Sequence, residues 1–199
     1  FLLENRQKVI SLQDELGRLF CQKYGNEKRV NEIANELKVL ENKVADESYT
    51  TVSSIRKVLN LEQRKHFVKL IREIIAAGAP KNHEAHKRMI IYTTDGIMDE
   101  LGVSMLQREH LVKIRATSGE LLKKAVVEVF TLADKLTDIF ISGEDDTEAK
   151  AVFAKLKKMN REMAGQRFKD TKDMFKILTH WQRKKLMAIT AECGASFMR

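Results

Sequence analysis

The chain has 199 residues, of which 36 are Lys or Arg, 28 are Asp or Glu and 43% are hydrophobic. That apolar content excludes a disordered protein, and the length accommodates one domain or two small ones. One proline, nine glycines and two cysteines favour an all-α fold over β-hairpins and exclude a disulfide scaffold. No uncharged stretch approaches the roughly 20 apolar residues that span a bilayer, so we expect no transmembrane segment.

Apolar residues recur at spacings of three and four along nearly the whole chain, which predicts helices. The turns between them are short, at about 25–28 and 142–146, and Pro80 follows the end of a third helix. Asn82 is the expected N-cap of a short helix that contains Met89. Long helices joined by short turns predict extended, bent helical hairpins. The predicted helices lie at about 12–20, 30–59, 61–75, 82–91, 111–139 and 152–178.

The two halves of the chain match each other at an offset of about 119 residues. In this register Ile33 corresponds to Val152, and a Gln-Arg-Lys triplet recurs at 63–65 and 182–184, which predicts an internal duplication. The first repeat has no counterpart of 104–119, so we expect it to be truncated at its N-terminus. The predicted units are a first hairpin repeat at 1–77, a linker with a short helix at 78–103 and a second hairpin repeat at 104–199.

A short pattern occurs at three helix starts: an aliphatic residue, then Asn, Ser or Thr, then Gln three residues later. It fits a capping box, in which the first polar side chain and the Gln side chain each accept from the other residue's backbone amide. A box inside an apolar pattern ends one helix and starts another at an angle, which predicts a bend. The alternative is an ordinary helix start. The boxes comprise Asn60 and Gln63, Ser104 and Gln107, and Thr179 and Gln182, the last preceded by Leu178.

The third box reads Leu178-Thr179-His180-Trp181-Gln182 and resembles the LTxxQ motif of the CpxP/Spy periplasmic proteins. The resemblance implies an all-α bent hairpin in which one motif opens the long first helix and another closes the hairpin. It also implies a periplasmic, ATP-independent chaperone-like or envelope-stress protein that binds unfolded or partner proteins. Members of that family often dimerise as a cradle. Two repeats in one chain therefore imply a pseudo-dimer, with a homodimer of the whole chain left open.

Positive charge is concentrated between Lys155 and Lys185, where eleven basic and three acidic residues account for the whole net charge of +8. Five of these cations share one face of a helical wheel, opposite the apolar stripe. The functional interpretation is attraction of an acidic protein segment, lipid headgroups or nucleic acid, and the alternative is a solvated face. We expect no specific nucleic-acid binding, because no aromatic residues alternate with the cations. The five are Lys158, Arg161, Lys169, Lys172 and Lys176.

His83 and His86 are three residues apart, which puts two imidazoles on one helix face where they can chelate a transition metal. Met89 is a soft ligand three residues further along that face. Two histidines without a spaced third and fourth ligand do not complete a site, so a solvated pair is the simpler interpretation. A metal-responsive sensor that uses His83 and His86 is the second functional hypothesis, and otherwise we expect no cofactor.

The sequence has no GxSxG, HExxH, CxxC or phosphate-binding glycine loop, so we expect a protein that is not an enzyme. Cys21 and Cys193 are expected to be free thiols, because they can pair only if the two repeats lie antiparallel. A purely structural helical adaptor is the third functional hypothesis.

Overall fold

A computed structural model describes residues 2–22, 26–78, 95–143 and 146–192. Within these residues the chain is all-α without strands, which confirms the predicted fold class. None of the described helices is long and apolar enough to cross a membrane. The expected short helix after Asn82 lies outside the described residues. The described helices are α1 (Leu2–Phe20), α2 (Glu27–Val58), α3 (Leu61–Gly78), α4 (Asp95–Leu101), α5 (Met105–Ser142), α6 (Asp146–Ile177) and α7 (His180–Glu192).

Helices α1 and α2 form one antiparallel hairpin, and α5 and α6 form a second. The Arg29 guanidinium of α2 donates two hydrogen bonds to the Glu15 carboxylate of α1, at 2.8 and 3.0 Å. Asn26 caps α2 by accepting from the backbone amide of Arg29 at 3.0 Å. Gly143 ends α5 with a positive φ of 76°, the left-handed conformation that glycine adopts most readily. Each hairpin therefore has a residue suited to a helix terminus at its tip.

The two hairpins pack side by side in opposite directions. At one end of the molecule the rings of Phe20 in α1 and Phe175 in α6 stack with centroids 4.9 Å apart. At the other end the rings of Phe67 in α3 and Phe140 in α5 stack at 5.6 Å. The tip of each hairpin consequently lies beside the junction where the other hairpin continues into its following helix.

The corresponding helices of the two halves have matching bounds. Helices α2 and α6 each have 32 residues and start 119 residues apart, at Glu27 and Asp146. Helices α3 and α7 also start 119 residues apart, at Leu61 and His180. These offsets equal the register read from the sequence, while the duplication itself stays a prediction.

Hydrophobic clusters lie at the two ends of the molecule. The larger cluster joins α1, α2, α4, α5, α6 and α7 and contains Leu16 and Ile33, which are fully buried. The smaller cluster lies near the tip of the second hairpin and contains Leu132 and Val152. The middle of α5 is less covered, and Leu121 is 60% exposed there although it belongs to the predicted apolar pattern.

Helices α2 and α6 face each other along a seam with polar and aromatic contacts. The rings of Tyr49 and Phe153 stack across it with centroids 4.3 Å apart. Partly exposed ion pairs stabilise a protein by only about 0–1 kcal/mol each, so the pairs of Lys157 and Lys172 orient the two helices more than they hold them together, whereas the Arg56 side chain is buried. The ion pairs across the seam join Glu27 to Lys172 at 2.7 Å, Asp46 to Lys157 at 2.6 Å, and Asp146 to Arg56.

Two glycine substitutions should have opposite effects on stability. Gly143→Ala should destabilise the protein by about 1 kcal/mol, because of the positive φ and because the Arg64 guanidinium occupies the place of a Cβ. Gly119→Ala should stabilise it by up to about 1 kcal/mol, since a Cβ at this position in α5 meets nothing within 4 Å. Urea unfolding followed by circular dichroism measures both. Equal effects of the two substitutions would contradict the assigned conformations.

Candidate functional site

Two of the three capping boxes lie side by side. In the first, the Gln107 backbone amide donates to Ser104 Oγ at 3.2 Å and the Ser104 amide donates to Gln107 Oε1 at 2.9 Å. In the second, the Gln182 amide donates to Thr179 Oγ1 at 3.3 Å and the Thr179 amide donates to Gln182 Oε1 at 2.9 Å. Each box thus satisfies two backbone amides at the start of a helix.

The side-chain amides of Gln107 and Gln182 link these two boxes reciprocally. Gln107 Nε2 donates to Gln182 Oε1 at 3.0 Å and to the Ile177 carbonyl oxygen at 2.8 Å. Gln182 Nε2 donates to Gln107 Oε1 and to the Gly102 carbonyl oxygen, both at 3.3 Å. Ile177 and Gly102 each lie two residues before the cap of their own box. The two boxes are therefore related by an approximate two-fold axis, and the start of α5 is joined to the start of α7.

The third box has the same internal geometry but a different environment. The Gln63 backbone amide donates to Asn60 Oδ1 at 2.9 Å, and the Asn60 amide donates to Gln63 Oε1 at 3.0 Å. Both residues are exposed, whereas Gln182 is 5% exposed. Within the described part of the chain, no second box lies against this one and no hydrogen bond from Gln63 Nε2 reaches another helix.

The predicted cations of α6 fall on two surfaces. Lys158, Lys169 and Lys176 are exposed on the outer face of the helix. The ion pairs of Lys158 and Lys176 there are local ones within α6, with Glu162 at 3.9 Å and Asp173 at 3.6 Å. These three positions agree with the solvent face expected from the helical wheel.

Lys172 and Arg161 instead lie towards α2. The Lys172 side chain is only 23% exposed and its Nζ lies 2.7 Å from Glu27 Oε1, so Lys172 belongs to the α2–α6 seam and not to a solvent face. The helical wheel could not reveal this, because it represents a single helix without its neighbour. Arg161 is exposed at the edge of a groove in the same seam.

The α2–α6 groove has a volume of about 440 Å³ and combines an apolar floor with a basic rim. Leu37 and Phe168 are buried or half-buried in the floor. Lys38, Arg161 and Arg167 surround it, and within the described residues none of the three forms an ion pair. The groove therefore offers apolar contact and unneutralised positive charge at the same place.

Glu41 also lines this groove, and burial raises the pKa of its carboxyl above the ordinary value. Burial has this effect because a carboxylate loses hydration when it leaves water. Glu41 therefore becomes protonated at a higher pH than an ordinary glutamate, and the groove then becomes more positive.

A second groove, the α3 groove, lies between α2, α3, α5 and α6 and has a volume of about 550 Å³. Its lining is largely apolar and includes Phe67, Phe130 and Phe140. Phe130 is 66% exposed. A third depression of about 230 Å³ lies between the two grooves along the seam, and it shares Arg161 with the α2–α6 groove and Leu156 with the α3 groove.

The remaining candidate residues are only partly described. His83 and His86 lie outside the described residues, and no group of three or more possible metal ligands occurs within them. Cys21 is a half-buried free thiol whose pKa burial raises, and its Sγ lies 3.9 Å from the Arg183 carbonyl oxygen. The antiparallel arrangement that a disulfide would need is present, while Cys193 lies outside the described residues.

Sequence reasoning missed two parts of this site. Lys38 lies on α2, far from the basic window, and only its position across the seam from Arg161 makes it part of a basic rim. Arg167 was counted among the basic residues but does not share the wheel face of the other cations. One feature of the sequence indicated the pairing of Gln107 with Gln182, because the same motif occurs twice in the second half of the chain. The sequence did not require the two copies of the motif to be in contact.

Comparisons with protein-family models, with curated proteins and with solved structures find no match to this chain.

The paired boxes predict a strong coupling between two glutamines. Gln107→Ala and Gln182→Ala should each destabilise the protein by about 1–3 kcal/mol, because each leaves buried or half-buried polar groups without partners. The double variant should lose less than the sum, since the two side chains bond to each other. Chemical denaturation of the four proteins gives the coupling energy.

Gln63→Ala is the matched control for this cycle, because it removes the same capping contact without a partner box. Gln63→Ala should lower the free energy of unfolding by about 0.5–2 kcal/mol, and this loss should add to the loss caused by Gln107→Ala. Additive losses for Gln107 and Gln182 would show that the boxes do not cooperate.

The Glu27–Lys172 pair predicts a pH dependence of stability. The hydrogen bond from Lys172 lowers the pKa of Glu27 below its ordinary value, so the pair stabilises the fold at neutral pH. This contribution is complete above the unfolded-state pKa and is lost as pH falls through the lower folded-state pKa. Glu27→Gln should therefore reduce stability at neutral pH and lose its effect in acid. An effect of equal size at both pH values, measured by urea unfolding, would contradict the pairing.

Proposed function

We propose that this protein binds unfolded or partner polypeptides without ATP, and that the α2–α6 groove is the place where acidic, apolar segments first bind. The observation that carries the proposal is the combination of Lys38, Arg161 and Arg167, none of them in an ion pair, with an apolar floor. The volume of the groove falls within the range of about 300–1,000 Å³ that is usual for ligand sites.

Electrostatics supports an anionic client for this groove. Unpaired cations at the rim of a groove attract acidic groups before contact, and this attraction decays over about 8 Å at physiological ionic strength. Apolar contacts with Phe168 in the floor then hold the segment by a force that salt does not screen. The α3 groove offers further apolar surface along the same seam, which suits the hydrophobic residues that an unfolded chain exposes.

The CpxP/Spy resemblance of Leu178–Gln182 supports a periplasmic chaperone-like or envelope-stress role within this general function. In this proposal the two hairpins of one chain take the place of two subunits, since they pack in opposite directions with stacked aromatic rings at both ends. A structural adaptor would need no such basic and apolar groove. Suppression of client aggregation by substoichiometric or equimolar protein separates the two functions.

The groove is tested by charge reversal with a matched control. The groove variant changes Lys38, Arg161 and Arg167 to Glu, and the control variant changes Lys158, Lys169 and Lys176 to Glu. Both variants change the net charge equally, and all six side chains are exposed or lie at a groove rim. Stopped-flow fluorescence measures their association with a labelled peptide in which acidic and apolar residues alternate.

The groove variant should associate about tenfold or more slowly than the parent at low salt, and the difference should shrink as salt rises. The control variant should be slowed less, because its lysines lie on the outer face of α6. Equal slowing of both variants would mean that net charge alone attracts the peptide. If both variants associate with the peptide at the rate of the parent, the basic surface does not attract the peptide and is only a solvated face.

A further inference from the structure

The pairing of two capping boxes in the second half of the molecule shows what such a box binds. Gln107 and Gln182 each donate to the other and to a backbone carbonyl two residues before the other's cap. The contact thus requires a second helix start with the same Ser/Thr–x–x–Gln spacing and an accessible carbonyl ahead of it. The Asn60–Gln63 box has the same internal geometry and lacks this partner within the described residues.

Burial at equivalent positions gives independent support. The junction of α6 and α7 presents Leu178, Gln182, Leu186 and Ile189, which are 2%, 5%, 3% and 7% exposed. The equivalent positions at the junction of α2 and α3, 119 residues earlier, are Leu59, Gln63, Phe67 and Leu70. Leu70 is 42% exposed, Gln63 is exposed, and Leu59 and Phe67 are half-buried. We call these last four residues the α2–α3 junction surface.

The first turns of α5 help to cover the buried set. Gln107 contributes the hydrogen bonds, and Leu111, four residues later and 5% exposed, belongs to the same hydrophobic cluster as Leu178, Leu186 and Ile189. An aliphatic residue four positions after the glutamine lies on the same face of the helix, so one helix start supplies both contacts. At the α2–α3 junction the tip of the second hairpin contacts Phe67 and Arg64, but within the described residues no helix start bonds to Gln63 or covers Leu70.

We propose that the α2–α3 junction surface is a docking site for a partner helix that begins with an aliphatic residue followed by Ser/Thr–x–x–Gln and carries a second aliphatic residue four positions after the Gln. The partner's glutamine exchanges hydrogen bonds with Gln63, and its second aliphatic residue covers Leu70. The docking surface is distinct from the α2–α6 groove and shares only Phe67 with the α3 groove, and the inference does not depend on the proposed function.

The chain supplies its own probe for this docking site. A fluorescent peptide with the sequence of 101–121 contains Val103, Ser104, Gln107 and Leu111, the features that cover the second junction. Binding of this peptide to the whole protein is measured by fluorescence anisotropy. An isolated helix of this length is only marginally stable in water, so the conformational entropy lost on folding would weaken the measured affinity. A peptide stapled in its helical form avoids this cost.

Two variants and one control define the expected result. Gln63→Ala and Leu70→Glu should each weaken peptide binding about tenfold or more, the first by removing hydrogen bonds and the second by placing a charge in an apolar contact. Both side chains are exposed, so both variants should fold. Lys69→Ala should bind as the parent does, since Lys69 is a 73% exposed neighbour that lies outside the α2–α3 junction surface. A peptide with Gln107→Ala should bind about tenfold more weakly to the parent.

Three outcomes would overturn the proposal. The stapled peptide fails to bind the parent at any accessible concentration, or it binds Gln63→Ala and Leu70→Glu as strongly as the parent, which would place it elsewhere. In the third outcome, sedimentation shows that the parent self-associates and that Leu70→Glu makes it monomeric. The surface would then be covered by a second copy of this chain and not by a partner helix of the stated sequence.

Discussion

The antiparallel packing of the two hairpins is the constraint on which the other features of the structure depend. It brings the tip of each hairpin to the junction of the other, where aromatic rings stack at both ends of the molecule. It also places α2 against α6 along a seam between two helices of equal length. Because the helices are long and touch at separate points along the seam, such as the Tyr49–Phe153 stack, space remains between these contacts, and both grooves are lined in part by the facing helices α2 and α6.

The same packing determines which charges are available to a partner. Lys157 and Lys172 are neutralised by carboxylates of α2, whereas Arg161 lies between them on the seam without such a partner among the described residues. A charge that already has an ion pair contributes little to the attraction of a client. The two cations that α6 contributes to the basic rim, Arg161 and Arg167, are therefore a small part of a much larger basic window, and what α2 places opposite each cation determines which of them stay unpaired.

The three capping boxes show how one local motif can have different energetic roles. Each satisfies its own helix start, which needs nothing beyond the residues of the motif. Only Gln107 and Gln182 also bond to each other, because the second hairpin brings its opening and closing ends together. The same glutamine at position 63 faces solvent, so similar local chemistry yields a buried link in one half of the chain and an accessible surface in the other.

The sequence by itself determined the all-α class, the long helices of both hairpins, the turns at their tips, the capping boxes and the location of the excess charge, whereas α4 was not among the predicted helices and only the start of α7 was predicted, from its capping box. These features depend on contacts between residues a few positions apart, which helical periodicity and capping rules describe well. The tertiary structure decided the direction in which the hairpins pack, the ion pair that draws Lys172 into the seam, the pairing of Gln107 with Gln182 and the inclusion of Lys38 in a basic rim. All four depend on contacts between residues about 70 or more positions apart, and such contacts follow from how whole helices fit together, which local spacing does not specify.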